Sequence, residues 1–292
     1  MAIERILFTT KFREDDYQTL LELTELQKVG LKEIILLHVI PREEVAYVPF
    51  GGYLKERALE LSEGARLRLK EWEEELQIRG FKVKVMVEIG EPVAKILQVS
   101  EEEKANLLVI GRKRSTYHLI PEISERIVSR SNIPVLVYRK IVHFEINGEI
   151  FQRENTKVFT KPLFATDFSA PSKRAINFLL NFKDLIEKIF IVHILKEGTF
   201  EASTEEALNR IEEEKKAKLC QVLKDFQAHN LKCSIFLGIG DPSKEIIAYA
   251  REKESTLIAI GKTGKGLLES ILVGSLTKSL LHRSEIPLLI VP

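Results

Sequence analysis

Thr256-Leu-Ile-Ala-Ile260-Gly261-Lys-Thr-Gly264-Lys-Gly-Leu-Leu-Glu-Ser-Ile-Leu-Val-Gly274-Ser275-Leu276-Thr277 joins a short apolar run to a glycine-bearing loop and then to the start of a helix. An unbroken apolar run of this length suits a strand buried on both faces, and such strands belong to parallel sheets covered by helices. Glycine at the strand end lets a ligand approach the backbone, and Gly264 permits a tight loop around it. Gly274-Ser275 opens the following helix, whose free N–H groups and positive dipole end form an anion site to which Ser275 and Thr277 add hydroxyl donors. A phosphate chain fits there. Lys262 and Lys265 either add charge to that site or are simply solvated.

Working outward, the same pattern occurs earlier in the chain. Leu107-Leu-Val-Ile-Gly111 corresponds to Leu257-Ile-Ala-Ile-Gly261, and Ser131-Asn-Ile-Pro-Val-Leu-Val-Tyr138 to Ser284-Glu-Ile-Pro-Leu-Leu-Ile-Val291. Ile6-Leu-Phe-Thr-Thr-Lys-Phe12 returns as Pro162-Leu-Phe-Ala-Thr-Asp-Phe168, Leu37-His38-Val39 as Val192-His193-Ile194, and Ile89-Gly-Glu-Pro92 as Ile239-Gly-Asp-Pro242. Five matches in one order, spaced by about 150 residues, indicate a duplicated domain in which each copy owns its core.

Each half alternates apolar runs with amphipathic stretches, which predicts a five-stranded parallel sheet with helices on both faces. The expected strands are 5–9, 33–40, 82–88, 107–110 and 135–138, then 162–166, 188–195, 232–237, 256–260 and 288–291. Lys55 to Arg79 and Thr204 to Ala228 read as long helices with leucines at helical spacing. Glu91-Pro92 and Asp241-Pro242 read as helix starts, because proline's missing N–H costs nothing at the first helical position. Between the halves, alternation around Asn147-Gly148 predicts a hairpin that ties the domains together or shields a cleft. The expected division is residues 1–140, a linker over 141–156, and 157–292.

Taken together, G-x2-G-x9-G-S after the fourth strand, His-Val or His-Ile after strand two, Gly-x-Pro after strand three and Ile-Pro before strand five resemble the universal stress protein family. The resemblance spans nearly the whole chain as two tandem copies. It implies two Rossmann-like domains of the adenine nucleotide alpha hydrolase-like kind, sheet order 3-2-1-4-5, and ATP or AMP bound in the second. It carries the ribose contact onto Asp167, within Ala165-Thr166-Asp167-Phe168-Ser169, and places Ile194 and Ile260 beside adenine. Asp167 is otherwise a helix cap, although Ser169 is the better placed cap. Ala165, Thr166, Gly261, Gly264, Gly274, Ser275, Leu276 and Thr277 complete the expected site, with Mg²⁺ accompanying the nucleotide near Asp167 rather than held by protein alone. Ligands of such sheets bind where the strand order reverses, between strands one and four, where Asp167 and Gly261 stand. The family's dimers pair through fifth strands, so 133–138 and 286–291 are expected to form a pseudo-dimer within one chain, which itself is able to form homodimers.

The first half departs from this pattern. There are 23 positions from Gly111 to Pro134 but 26 from Gly261 to Pro287, a three-residue deletion. Pro121-Glu-Ile-Ser124 then stands opposite Gly274-Ser-Leu-Thr277, Arg114 opposite Gly264, and Lys11 opposite Asp167. Proline removes an N–H and Glu122 brings negative charge, so this half is expected not to bind ATP in the family's manner. Arg112, Lys113 and Arg114 hold another anion or form a solvated basic loop. The aromatic stretch from Tyr47 to Tyr53 is a partner site or a loop folded over its own domain.

Composition narrows the classes. Of 292 residues, 45% are hydrophobic and 30% charged, so the chain can build a core. Lys and Arg number 44 against 43 Asp and Glu, leaving +1, so no global field attracts nucleic acid or anionic membrane. Two cysteines, Cys220 and Cys233, suggest neither a disulfide framework nor zinc, and no apolar run approaches the roughly 20 residues that span a bilayer. A cytoplasmic protein is expected. His38 and His193 read as structural histidines, and no Ser-His-Asp or Cys-His set can be assembled. The expected activity is therefore binding, with a stress or energy-status sensor as the leading reading. Slow ATP hydrolysis and a nucleotide-free scaffold are the alternatives.

Overall fold

The computed structural model describes residues 3–45, 55–111, 123–146, 148–197, 205–262 and 274–292. Contacts divide the chain into two compact units, residues 2–140 and 141–292, the second also taking residue 1.

In the first unit, strands β1 (Arg5–Thr10), β2 (Glu33–Pro41), β3 (Lys82–Gly90), β4 (Leu107–Ile110) and β5 (Val135–Val137) form a parallel sheet in the order β5-β4-β1-β2-β3. Numbered within the domain, this is 3-2-1-4-5. The unbroken apolar runs are the central strands: Ile34 to Leu37 and Leu107 to Ile110 are all buried, because helices cover both faces. Those helices are α1 (Asp16–Glu22), α2 (Arg42–Val45), α3 (Lys55–Ile78), α4 (Pro92–Glu102) and α5 (Ile123–Arg130). Helix α3 turns only one stripe inward, burying Ala65, Leu69 and Leu76. Leu59 and Leu67, which share its helical leucine pattern, stay exposed at 61% and 68%.

The second unit opens with the antiparallel hairpin β6 (Ile141–Ile146) and β7 (Glu149–Glu154), in which Phe144 lies opposite Phe151. Strands β8 (Pro162–Ala165), β9 (Ile189–Leu195), β10 (Cys233–Ile239), β11 (Leu257–Gly261) and β12 (Leu288–Val291) follow, in the order β10-β9-β8-β11-β12. This is the same 3-2-1-4-5 arrangement, covered by α6 (Ala170–Leu179), α7 (Glu205–Gln227), α8 (Pro242–Glu252) and α9 (Ser275–Arg283). The hairpin is anchored at the C-terminal end of α8. The Arg251 guanidinium lies 5.4 Å from the Phe144 ring and forms a bidentate pair with the buried Glu285 carboxylate at 2.6 and 2.9 Å. Arg153 donates to the Ser255 carbonyl and to Asn155, whose amide donates to the Glu285 carbonyl. The cleft described below lies at the other end of α8, so the hairpin does not shield it.

No helix among the described residues is long and apolar enough to cross a membrane.

Candidate functional site

The first strand of each half ends in the same corner. Phe12 and Phe168 adopt left-handed backbone, at φ 54° and 64°, a conformation that disfavours a bulky side chain unless its surroundings fix it. They are fixed in three ways. Each phenylalanine N–H donates to the hydroxyl of the threonine two residues earlier, Thr10 at 2.8 Å and Thr166 at 3.0 Å. Each ring packs on a histidine from strand two of its half, His38 or His193, with centroids 4.6 Å apart. Each histidine bonds through Nδ1 to the carbonyl of that same threonine, at 2.9 and 2.7 Å. Burial holds both imidazoles below their ordinary pKa, so they are neutral near pH 7 and Nδ1 donates. The repeated histidines therefore do structural work.

A carboxylate completes each corner. In the second half Asp167 Oδ1 accepts from the Ser172 hydroxyl at 2.7 Å and from the Ser169 N–H at 3.0 Å. Burial pushes the Asp167 carboxyl up, but these bonds together outweigh it, and the net shift is downward. Ser169 caps α6, accepting from the Ser172 N–H at 3.4 Å. Asp167 is thus both a loop staple and an exposed carboxylate at the cleft mouth. In the first half the staple has moved. Lys11 occupies the Asp167 place, and Asp16, at the Ser172 place, accepts from the Thr10 hydroxyl at 2.8 Å and from the N–H groups of Lys11 and Arg13, both at 3.1 Å.

Between the ends of β8 and β11 the second unit opens into a cleft of about 970 Å³. Ala165, Thr166 and Asp167 line it from the first strand, Ile194 from the second, and Ile260 and Gly261 from the fourth. Gly274, Ser275 and Leu276 line it from the start of α9. Thr277 does not: it is 2% exposed and turns into the core. Gly264, Lys265, Tyr47 to Tyr53, Arg112 to Arg114, Pro121 and Glu122 lie outside the described residues.

Sequence reasoning missed part of this cleft. Asp241 caps α8, accepting from the Lys244 N–H at 2.9 Å with Pro242 in the first turn, as the sequence leads one to expect of a helix start. The same helix start also forms cleft wall. Ser243 donates to Asp241 at 2.6 Å and receives a bond from Ser279 of α9 at 2.8 Å, so the first turn of α8 is tied to the second turn of α9 beside the cleft. The signal was Asp-Pro-Ser after strand three, and only the fold brings it beside Gly274. Lys196 and Glu197 also line the cleft. Gly261 has a further reason to be glycine: a Cβ there would lie 2.4 Å from the Pro171 carbonyl carbon and 2.5 Å from the Ser172 nitrogen, where α6 begins.

The corresponding cleft in the first unit measures about 280 Å³. Gly111 stands where Gly261 does, but its Cβ would meet the tip of Arg13, at 3.1 Å from Nη1, rather than backbone.

The second cleft combines an apolar slot with polar groups at its mouth. Ile194, Ile260 and Val192 form an apolar slot, Asp167 offers an acceptor to hydroxyl donors, and the starts of α6, α8 and α9 supply N–H groups and hydroxyls. Among the described residues no group of three or more acidic, histidine or cysteine side chains could hold a metal ion by itself.

Comparison with known proteins agrees with this architecture. Residues 2–139 and 159–292 each match the universal stress protein family. Universal stress protein MJ0577 of Methanocaldococcus jannaschii is 27% identical over 157 residues, covering 47% of this chain and 95% of that protein. Universal stress protein MJ0531 of the same organism is 27% identical over 163 residues, covering 54% and 95%. The crystal structure of a universal stress protein from Archaeoglobus fulgidus superposes with a TM-score of 0.72 at 22% identity, covering 98% of this chain and 95% of that one, which speaks to the fold. The chain belongs to the universal stress protein family and carries two copies of its domain in tandem.

Proposed function

We propose that the second domain binds one adenine nucleotide, ATP or AMP, and that the protein acts through this occupancy as a sensor of stress or energy status. The observation that carries the reading is the convergence of nine residues singled out from sequence onto one cleft, beside the two strand ends where a sheet of this order accepts ligands. In this reading Asp167 accepts from ribose hydroxyls, Ile194 and Ile260 flank the base, and Gly274, Ser275 and Gly264 hold phosphate. Leu276, Ala165 and Thr166 shape the wall between them. Mg²⁺ enters with the nucleotide near Asp167.

Calorimetric titration of nucleotide-stripped protein with ATP and then AMP, with Mg²⁺ present, tests this through stoichiometry. One site per chain is expected. Two sites would overturn the division between halves, and none would favour the scaffold. Gly274→Pro sharpens the result: φ of −58° lies in proline's range, and the substitution removes one N–H. Nucleotide affinity should fall by about tenfold or more with melting unchanged.

A further inference from the structure

We infer that the outer edge of β10 pairs with β10 of a second copy of this chain, the two strands running antiparallel about a two-fold axis at Phe236. In the order β10-β9-β8-β11-β12 this strand stands last, and β9 is its one strand neighbour among the described residues. Just before the strand the Lys232 carbonyl accepts from the Ile189 N–H, and just after it the Gly240 N–H donates to the Leu195 carbonyl, both at 2.9 Å. Even-numbered positions thus turn their backbone groups toward β9, and the N–H and C=O groups of Cys233, Ile235, Leu237 and Ile239 point along the open edge. Folded proteins ordinarily blunt such an edge with charge, as the first domain does. Its own edge strand, β3, carries Lys82, Lys84 and Glu88, with Lys84 2.7 Å from Glu103 and Glu88 3.0 Å from Lys95. Strand β10 reads Cys-Ser-Ile-Phe-Leu-Gly-Ile without a charged residue, and Ile239 at its end is 57% exposed.

What selects a second copy is the symmetry of the strand about Phe236. Antiparallel pairing there sets Ile235 opposite Leu237, Cys233 opposite Ile239 and Ser234 opposite Gly238 of the second copy. The first two pairs join outward-pointing residues, so each exchanges both of its backbone bonds, and Phe236 meets its equivalent in a non-hydrogen-bonded pair, where side chains approach most closely. One face of the paired strands is then aliphatic against aliphatic. On the other, Phe236 is stacked on Tyr249 of α8 with ring centroids 4.2 Å apart, and only the small Ser234 and Gly238 flank it, which leaves room for the second ring. Charge closes both ends. The same register brings the exposed Lys232 of each copy within one position of the exposed Asp241 of the other. A slip of one residue would set outward-pointing groups against inward-pointing ones and lose the ladder.

Sedimentation equilibrium of the full-length protein, from about 1 μM to about 1 mM, tests the inference. A two-chain species is expected. Ile239→Lys, which sets a charge on the edge at a side chain already in solvent, should weaken it by about tenfold or more with melting unchanged. Cross-linking reads the register and decides the matter by itself if that variant does not melt cooperatively. In a Cys220→Ser background, Ile239→Cys puts a thiol opposite Cys233 of the second copy, in a hydrogen-bonded pair whose Cα atoms stand about 5.5 Å apart, an ordinary disulfide separation. Mild oxidation should then join two chains, and adding Cys233→Ser should prevent it. A protein that stays single throughout the concentration range, an Ile239→Lys variant that associates as tightly as the parent, failure to cross-link, or cross-linking that survives Cys233→Ser would each overturn the inference.

Discussion

In the second domain the carboxylate that closes the turn after the first strand belongs to Asp167, in the turn itself, whereas in the first domain it belongs to Asp16, at the start of the helix behind the turn. The corner it holds is otherwise the same, down to the left-handed phenylalanine and the histidine packed on it. The comparison teaches that the staple and the mouth chemistry are separable. Where the helix provides the staple, the turn position is free to carry a lysine. Where the turn provides it, one aspartate serves the fold and, in the proposed function, the ligand.

The sharpest way to probe this comparison is at the paired glycines. Gly261→Ala would drive a Cβ into the backbone of Pro171 and Ser172, which cannot rotate away, and should cost about 1–3 kcal/mol in chemical denaturation. Gly111→Ala meets only the flexible end of Arg13 and should stay within about 0.5 kcal/mol. Equal costs would show that α6 is not pressed on β11 as described.

A transplant of the staple should have a smaller effect. Asp167→Ala removes an acceptor of two hydrogen bonds and, because the carboxylate is exposed, should cost about 1 kcal/mol. Adding Ser172→Asp to Asp167→Lys rebuilds the first domain's arrangement in the second. Stability in that double variant should recover to near the parent value, while nucleotide affinity, read by calorimetry, should not. Recovery of both would remove Asp167 from the proposed site.

The smallest effect is on pH dependence. Folded His38 and His193 titrate below their ordinary value of 6.5, so the unfolded chain takes up protons first as pH falls. Their contribution is therefore present above that value and lost on acidification through the folded pKa. Denaturation midpoints should decline as pH falls through and below 6.5, and His38→Gln with His193→Gln should flatten that slope. A slope unchanged in the double variant would assign the decline to other groups.

Much of the architecture was legible because buried parallel strands have little freedom of composition. Runs such as Leu107 to Ile110 and Leu288 to Val291 announce themselves, and their repetition announces the duplication. Leucine spacing was less informative in α3, since Leu59 and Leu67 extend past the stripe that the sheet covers. The site was legible where its residues adjoin strand ends. It was obscure where separate helices converge, as at Ser243 and Ser279, 36 positions apart and hydrogen-bonded. The move from Asp167 to Asp16 was hidden for the opposite reason. Aligning Lys11 with Asp167 showed a lost acid, while its replacement stood five positions on, where a helix-start aspartate looks ordinary.

The hairpin has a practical consequence for dissecting the chain. Residues 141–155 are the natural place to cut if judged as a tether, yet they are fastened to the second domain by the Arg251–Glu285 pair, Arg153 and Asn155. A fragment starting at residue 157 would strip the Phe144 cover from Arg251 and leave the Glu285 carbonyl without its amide donor. A fragment starting at residue 141 keeps that fastening whole, and is the piece to express when the second domain is to be handled alone.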